Sequence, residues 1–339
     1  MDTPLGGRAR RRRPSAPRPL RRALLAVAAA QTLATTVRVL RELIAHRAAS
    51  ARLGSEYTTI GGVTGGGGPA SAPAEALALH SRTGEGAEPG LAPVVLVPGF
   101  GIGSSYLVPL AARLARDTRV YAVEPPGHGR SEHDLRPLTV PELAEALAAW
   151  MDRRYLRAAV LVGHSLGAQV AAETAVRRPD LVAGLVLVGP TTDPGARTAA
   201  RILTRAQLLT GPFERPTYAV WTSLDYPRAG AAVLATEMRE MIDHHIEDVL
   251  PRLDRPVRVV RGARDRLVSQ DWAEKVARLA GAPAPTAVPR WGHAVHYDDP
   301  EAVARVTLEL LAEVAEQGPP VSDEVRAAAP APVPESPDR

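Results

Sequence analysis

Gly163-His164-Ser165-Leu166-Gly167 sets a serine between two glycines in a G-x-S-x-G run. An apolar stretch, 158–162, leads into it and a helix-like stretch follows. A strand-to-helix turn this tight has no room for side chains at its flanks. It pushes the serine hydroxyl out above the sheet edge, within reach of a substrate. The helix N-terminus beside it favours developing negative charge. A glycine-rich turn carrying an incidental serine is the alternative. A serine hydroxyl is a weak nucleophile until a base takes its proton. His293, in Trp291-Gly292-His293-Ala294-Val295-His296, is the candidate base. His296 is its near rival, expected to face away or pack. His164 is read as a packing or hydrogen-bonding neighbour, and His128 lies in a separate turn. An acid must hold the base in one tautomer and stabilise its imidazolium. Asp265, at the end of Arg261-Gly262-Ala263-Arg264-Asp265, is the candidate for that acid. Asp193, in Thr191-Thr192-Asp193-Pro194-Gly195, is the competing acid, although that sequence also suits a turn. The expected chemistry is acyl transfer to water.

The elements around these residues must carry them to one place. Short apolar runs at 94–98, 120–123, 158–162, 185–189 and 257–260 lack polar alternation, as suits strands buried on both faces of a parallel sheet. Helical patterns fall at about 104–116, 139–155, 166–178, 271–280 and 299–316, the last opening at Asp299-Pro300. This alternation predicts an α/β fold with a doubly wound, mostly parallel sheet. Loops at the C-terminal strand ends meet over one edge of such a sheet, so residues far apart in sequence can converge there. One interval, about 191–251, is too long for a simple crossover and reads as a helical insertion capping the site.

Composition sets the outer limits. The 339 residues contain no cysteine, which excludes disulfides, thiolate metal sites and a cysteine nucleophile. The net charge of +4 is unevenly spread: the first 22 residues hold eight arginines and one acid, so they carry +7 and the remainder −3. A basic tail of this kind can touch an anionic membrane surface. It lacks interleaved aromatics and any nucleic-acid motif, so no nucleic-acid partner is expected. Residues 23–37 are uncharged but too short for a membrane span of roughly 20 residues. They read as a helix running to about Leu53 that lies on the domain or on a membrane surface. Arg21-Arg22-Ala23-Leu24-Leu25 loosely resembles a twin-arginine export signal, while a cytoplasmic, membrane-associated protein is the other expectation. The expected organisation is a basic disordered tail at 1–22, an N-terminal helix at 23–54, an α/β domain at 55–317 and a disordered Pro/Ala-rich tail at 318–339. Within it, 61–73 reads as a flexible glycine-rich loop.

Taken together, these motifs resemble the α/β-hydrolase fold family, in its capped serine esterase-like branch. The resemblance rests on Gly163–Gly167, on Arg261–Asp265, on Gly292-His293 followed by Asp299-Pro300, and on Glu124-Pro125-Pro126-Gly127-His128-Gly129-Arg130-Ser131. The last looks like the family's turn after the fourth strand, which usually starts with Asp rather than Glu124. The order Ser165–Asp265–His293 fits the family's Ser–Asp–His, and although some members place the acid after the earlier strand, where Asp193 lies, the short spacing from Asp265 to His293 suits two neighbouring loops. The resemblance implies an oxyanion hole at the N–H groups of Leu166 and Phe100, the latter within Pro98-Gly99-Phe100-Gly101. A backbone donor does not depend on the side chain, so Pro98-Gly99 in place of the family's frequent His-Gly should not abolish it. Members that open epoxides or remove halide carry an aspartate where this chain has Ser165. The implied activity is hydrolysis of a carboxylic ester through an acyl-enzyme, with no cofactor or metal. Thioesters, lactones, amides and C–C bonds of diketones stay open, as does a non-catalytic ligand-binding role. Phe213, Tyr218, Trp221, Tyr226, Met238 and Met241 in the insertion suit an apolar acyl substrate, or serve only to pack it down. His244 and His245 could face the pocket or solvent.

Overall fold

A computed structural model describes residues 18–61, 76–86, 91–133, 136–206 and 211–317, with backbone alone for 18–30. The tail up to residue 17, most of the glycine-rich stretch and the segment 318–339 lie outside the described residues. The chain divides into two units, 1–45 and 46–339.

The first unit is the greater part of helix α1 (Arg18–Ser50). Leu33, Val37, Leu40 and Ile44 are exposed and recur at the 3.6-residue period, so they share one face. Arg38 Nε donates to Glu42 one turn on, at 3.0 Å. No helix among the described residues is long and apolar enough to cross a membrane.

The second unit begins in the last turn of α1 and holds the sheet. Its strands are β1 (Gly54–Ile60), β2 (Leu77–Gly84), β3 (Val94–Val97), β4 (Val120–Val123), β5 (Ala159–His164), β6 (Val182–Val188), β7 (Val257–Gly262) and β8 (Thr286–Val288). Helices α2 (Val108–Leu114), α3 (Val140–Arg153) and α4 (Leu166–Arg177) alternate with β3 to β6. Helices α8 (Gln270–Leu279), α9 (Val295–Asp298) and α10 (Pro300–Gln317) follow β7 and β8. The sheet order is β1-β2-β4-β3-β5-β6-β7-β8. From β4 to β8 all pairings are parallel, while β1–β2 and β2–β4 are antiparallel. The order reverses between β3 and β5, which opens a crevice at their C-terminal ends. Phe100 follows one of these strands and Ser165 the other.

Alternation along the strands builds two cores. Val95, Val97, Leu161, Leu185, Leu187 and Val259 face α3, α4 and α8. Val94, Leu96, Val160, Val162, Val186, Val188 and Val260 face α2 and α10. Both faces are apolar because both are covered, which is why these strands read as unbroken apolar runs.

Two strands went unanticipated in sequence. β1 (GSEYTTI) is half-exposed and polar, and β2 (LALHSRTG) buries polar side chains: His80, Ser81 and Thr83. The buried His80 has a partner at each ring nitrogen. His80 Nε2 lies 2.7 Å from Ser55 Oγ, and its Nδ1 lies 3.0 Å from Glu124 Oε2. Glu124, directly after β4, also accepts from Ser104 N–H at 3.0 Å, Ser104 Oγ at 2.6 Å and Arg130 N–H at 2.5 Å. Burial alone would raise its pKa, but the His80 imidazole and these donors hold it at about 2. The longer Glu therefore fills the place where the resemblance leads one to expect Asp, and its carboxylate ties β2, β4 and the segment after β3 together.

The interval between β6 and β7 is helical, with α5 (Ala199–Leu203), α6 (Pro216–Asp243) and α7 (Ile246–Val249). α6 bends at Gly230, whose φ of +79° is open to glycine at no steric cost. The end of α1 and the turn after it also belong to this unit's packing: His46 Nε2 lies 2.7 Å from Ser105 O, its ring stacks on Trp221 at 4.1 Å, and Leu53, between α1 and β1, is in the core.

Candidate active site

Ser165 occupies the N-cap of α4 with φ +55° and ψ −118°, a conformation L residues rarely adopt. The turn holds only because its flanks are bare. A Cβ at Gly163 would come within 2.3 Å of Gly167 O, and one at Gly167 within 2.4 Å of Val97 O and Pro98 O. Gly99 packs on the other side, where a Cβ would lie 3.1 Å from Ser165 Cβ. Ser165 is nearly buried, yet it opens on a cavity of about 350 Å³.

His293 lines the same cavity, and Asp265 fixes it from behind. Asp265 Oδ2 lies 2.7 Å from His293 Nδ1. Its Oδ1 accepts from Leu267 N–H at 2.8 Å and Val268 N–H at 3.0 Å, so the carboxylate cannot swing. Arg261, at the end of β7, locks the loop by donating to Asp265 O at 2.9 Å and Val268 O at 3.2 Å. Gly262 lets the two loops touch, since a Cβ there would meet Gly292 O at 1.9 Å. Gly189, with φ +53°, lies under the imidazole, and a Cβ there would meet the ring at 3.0 Å. His293 Nε2 is buried and bonds to no described residue, Ser165 Oγ included. Catalytic hydrogen bonds of this kind are often loose before substrate arrives. Burial disfavours the imidazolium, but the charge and hydrogen bond of Asp265 outweigh it and hold the His293 pKa above the ordinary histidine value.

The other candidates separate cleanly. Asp193 accepts from Gly195 N–H and Ser269 Oγ, each at 2.8 Å, and so caps a turn and anchors the start of α8. His164 is buried beside Tyr106, with Nδ1 3.0 Å from its hydroxyl and Nε2 3.2 Å from His293 O. Burial and the neighbouring histidines hold it well below its ordinary pKa. His296 packs edge-on against Tyr106 and is lowered to about 3, chiefly by burial. His128 is not confined to its own turn: its Nε2 lies 2.9 Å from Glu237 Oε1 on α6. His244 Nε2 lies 3.2 Å from Glu173, and neither it nor His245 lines the cavity.

The insertion supplies much of the cavity wall. Tyr218, Tyr226, Met238 and Met241 line it, together with Ile202, Leu203 and Ala206. Phe213 and Trp221 do not. Phe213 lies under Arg264 and Trp221 donates to Tyr297 Oη at 3.1 Å. Phe100 and Ile102 line the cavity from the segment after β3. Of the N–H groups around Phe100, Gly99 donates to Tyr106 Oη at 2.7 Å and Gly101 to Glu237 Oε2 at 2.6 Å. Ile102 donates to Gly99 O at 3.4 Å and Gly103 to Asp225 Oδ2 at 3.0 Å. Phe100 N–H has no such acceptor among the described residues. Leu166 N–H, at the first position of α4, has none within its helix.

A model of the alpha/beta hydrolase family matches residues 94–306. The chain belongs to that family. The hydrolase is similar in sequence to a Pseudomonas savastanoi protein named carbamate hydrolase RutD, 25% identical over 240 residues that cover 64% of this chain and 93% of that one. It also resembles the dihydrolipoyllysine-residue acetyltransferase component of an acetoin cleaving system from Pseudomonas putida, 35% identical over 137 residues. That match covers 40% of this chain and only 37% of the relative. Among solved structures it is similar to a thermophilic esterase from Thermogutta terrifontis, with TM-score 0.62 and 23% identity over 77% of this chain and 99% of that one. It is likewise similar to an enol-lactonase from Burkholderia xenovorans, with TM-score 0.56 and 19% identity over 70% and 97% of the two chains. At these identities the structural likeness is one of fold.

One residue of the hydrolase's site had no sequence signal. Glu214, from the insertion, lines the cavity and accepts from His293 N–H and Ala294 N–H, each at 3.0 Å. Burial raises its pKa to about 7, against the pull of His293 and these donors. Neither its distance in sequence from His293 nor its backbone partners mark it beforehand.

The paired geometry makes a prediction independent of activity. NMR titration of the histidine side chains should place His293 above pH 6.5, and Asp265→Asn should move it downward. A His293 that titrates below the ordinary value in the wild type, or is indifferent to Asp265→Asn, contradicts the pairing.

Proposed function

We propose that this hydrolase cleaves a carboxylic ester with an apolar acyl or alcohol part, by a Ser165–His293–Asp265 triad. The observation that carries the reading is the environment of His293. One ring nitrogen is fixed on Asp265 at 2.7 Å, and the other is buried and unpartnered beside the cavity that Ser165 lines. An imidazole held in that way is a base waiting for a proton.

In this reading Ser165 Oγ attacks the substrate carbonyl carbon as His293 Nε2 takes its proton. The Phe100 and Leu166 N–H groups hold the oxyanion, where preorganised donors are worth about 10²–10³ in rate each. His293 then protonates the leaving alcohol, and water releases the acyl group by the same route in reverse roles. The insertion acts as a cap. Its Met238, Met241, Ile202 and Leu203 favour an apolar substrate, and a volume of about 350 Å³ suits a small to medium one. No step calls for a cofactor or a metal. The names of relatives include carbamate hydrolase, esterase and enol-lactonase, so the bond cleaved is set by the pocket rather than the fold.

An activated short-chain ester should be hydrolysed, with Ser165→Ala losing on the order of 10⁶-fold in kcat. Asp265→Asn should lose roughly 10⁴-fold, the loss seen when a triad acid is neutralised. Asp193→Asn should change kcat little, with circular dichroism showing both Asp variants folded. Activity that survives Ser165→Ala, or that falls with Asp193 and not Asp265, contradicts the assignment. A panel of esters of rising chain length, with lactones and thioesters alongside, would then rank substrates.

A second part of the reading concerns the N-terminal unit. The exposed stripe Leu33, Val37, Leu40 and Ile44 lies in a chain whose first 22 residues carry +7, a pairing that favours the surface of an anionic membrane. The full chain should sediment with vesicles containing anionic lipid, and less so at high salt or with Leu33→Glu and Ile44→Glu. Equal recovery with anionic and purely zwitterionic vesicles would remove the membrane from the account.

A further inference from the structure

Phe100 sits in a segment that is held almost everywhere except at its own N–H. Two of the acceptors that hold it belong to the insertion, not to the α/β body. Asp225 lies before the bend at Gly230 and Glu237 after it, so both arms of α6 reach the same short loop. Both carboxylates are buried, at 2% and 3% exposure. They take the N–H groups of Gly103 and Gly101, which lie on the C-terminal side of Phe100. Glu237 is braced in turn by His128, 2.9 Å away, whose Nδ1 is 3.0 Å from Pro126 O. Asp225 is braced by Arg228 Nη1 at 3.2 Å.

Packing alone does not call for this arrangement. Leu234 and Tyr226 already fill the contact with the loop, where a Cβ at Gly101 would meet Leu234 Cδ2 at 2.3 Å. Burying a carboxylate costs several kcal/mol unless it is paired and hydrogen-bonded, and apolar residues of similar size pack as well or better. An oxyanion donor, by contrast, gains from being fixed to a fraction of an ångström before charge develops. Gly101 has φ +64°, a conformation that a flexible glycine loop leaves readily unless something holds it.

We infer that Glu237, supported by His128 and assisted by Asp225, is a positioning residue that fixes the Phe100 N–H for the oxyanion, so that the insertion shapes the transition-state site as well as the substrate pocket. The inference rests on the reading of Phe100 as an oxyanion donor. Glu237 touches neither substrate nor reacting atoms and acts through Gly101. Glutamine is the conservative replacement. Its amide oxygen can accept from Gly101 N–H while its NH₂ group faces His128 Nε2, an acceptor when Nδ1–H donates to Pro126 O.

The test compares Glu237→Ala with Glu237→Gln in the full chain on an activated ester. Removing an oxyanion donor outright costs about 10²–10³ in kcat. Loosening one should cost less, so Glu237→Ala should lower kcat by about 10- to 100-fold with KM within about threefold, and Glu237→Gln should recover most of the loss. A trifluoromethyl ketone, which forms the tetrahedral oxyanion with Ser165, should bind Glu237→Ala more weakly by the same factor as the fall in kcat/KM. If circular dichroism shows the alanine variant unfolded, Glu237→Asp, one methylene too short to reach both partners, takes its place against Glu237→Gln. A loss expressed in KM alone overturns the inference. So do equal losses in the alanine (or aspartate) and glutamine variants, and so does unchanged affinity for the ketone. A wild type without Ser165-dependent hydrolysis would instead show that the underlying reading had failed.

Discussion

The site depends on one steric exclusion: the β5–α4 turn can close only where two residues have no side chain. Gly163 and Gly167 face backbone oxygens at distances no Cβ tolerates, and between them Ser165 is held at φ +55°. Strain of that kind costs about 1–3 kcal/mol and persists only where the surroundings insist on it. Here the surroundings are the fully buried strand β5 and an α4 buried along most of its length. The hydroxyl is placed by the sheet, not by its own preference.

Everything else converges on that point because of the switch in strand order. The loops after β3, β5, β7 and β8 open on the same edge and bring Phe100, Ser165, Asp265 and His293 together from four parts of the chain. Three of these loops, those after β3, β7 and β8, are then pinned by backbone hydrogen bonds to carboxyl groups. Asp265 takes two N–H groups of its own loop, Glu214 two of the His293 loop, and Glu237 and Asp225 one each beside Phe100. Buried carboxylates are costly, and this protein uses them where backbone amides would otherwise be free to move.

This division also explains what could be read from sequence. The strands β3 to β7 were visible because both their faces are apolar, and the residues in βα turns because glycine marks the places where chains approach too closely for a side chain. Asp265 and His293 were visible because each follows a strand at the correct edge. β1 and β2 were not, since an antiparallel edge pairing that buries Ser81, sets His80 against Glu124 and exposes Tyr57 has neither an apolar run nor clean alternation. The insertion was visible as a length, but its orientation was not. Glu214, Asp225 and Glu237 act on backbone groups more than 75 residues away, and a backbone N–H carries no residue identity to match against. The bend at Gly230, which lets α6 reach the loop twice, had only a nearby proline to announce it.

The central claim is that Ser165, and no other residue, is the group that attacks. The most direct measurement is peptide mass spectrometry after reaction with a fluorophosphonate, which captures an activated serine as a stable covalent adduct. The account predicts a single stoichiometric adduct on the peptide containing Gly163–Gly167, located at Ser165, and lost when His293→Ala removes the base. An adduct on a different residue, or an unmodified Ser165 in a folded protein that still hydrolyses esters, would contradict it.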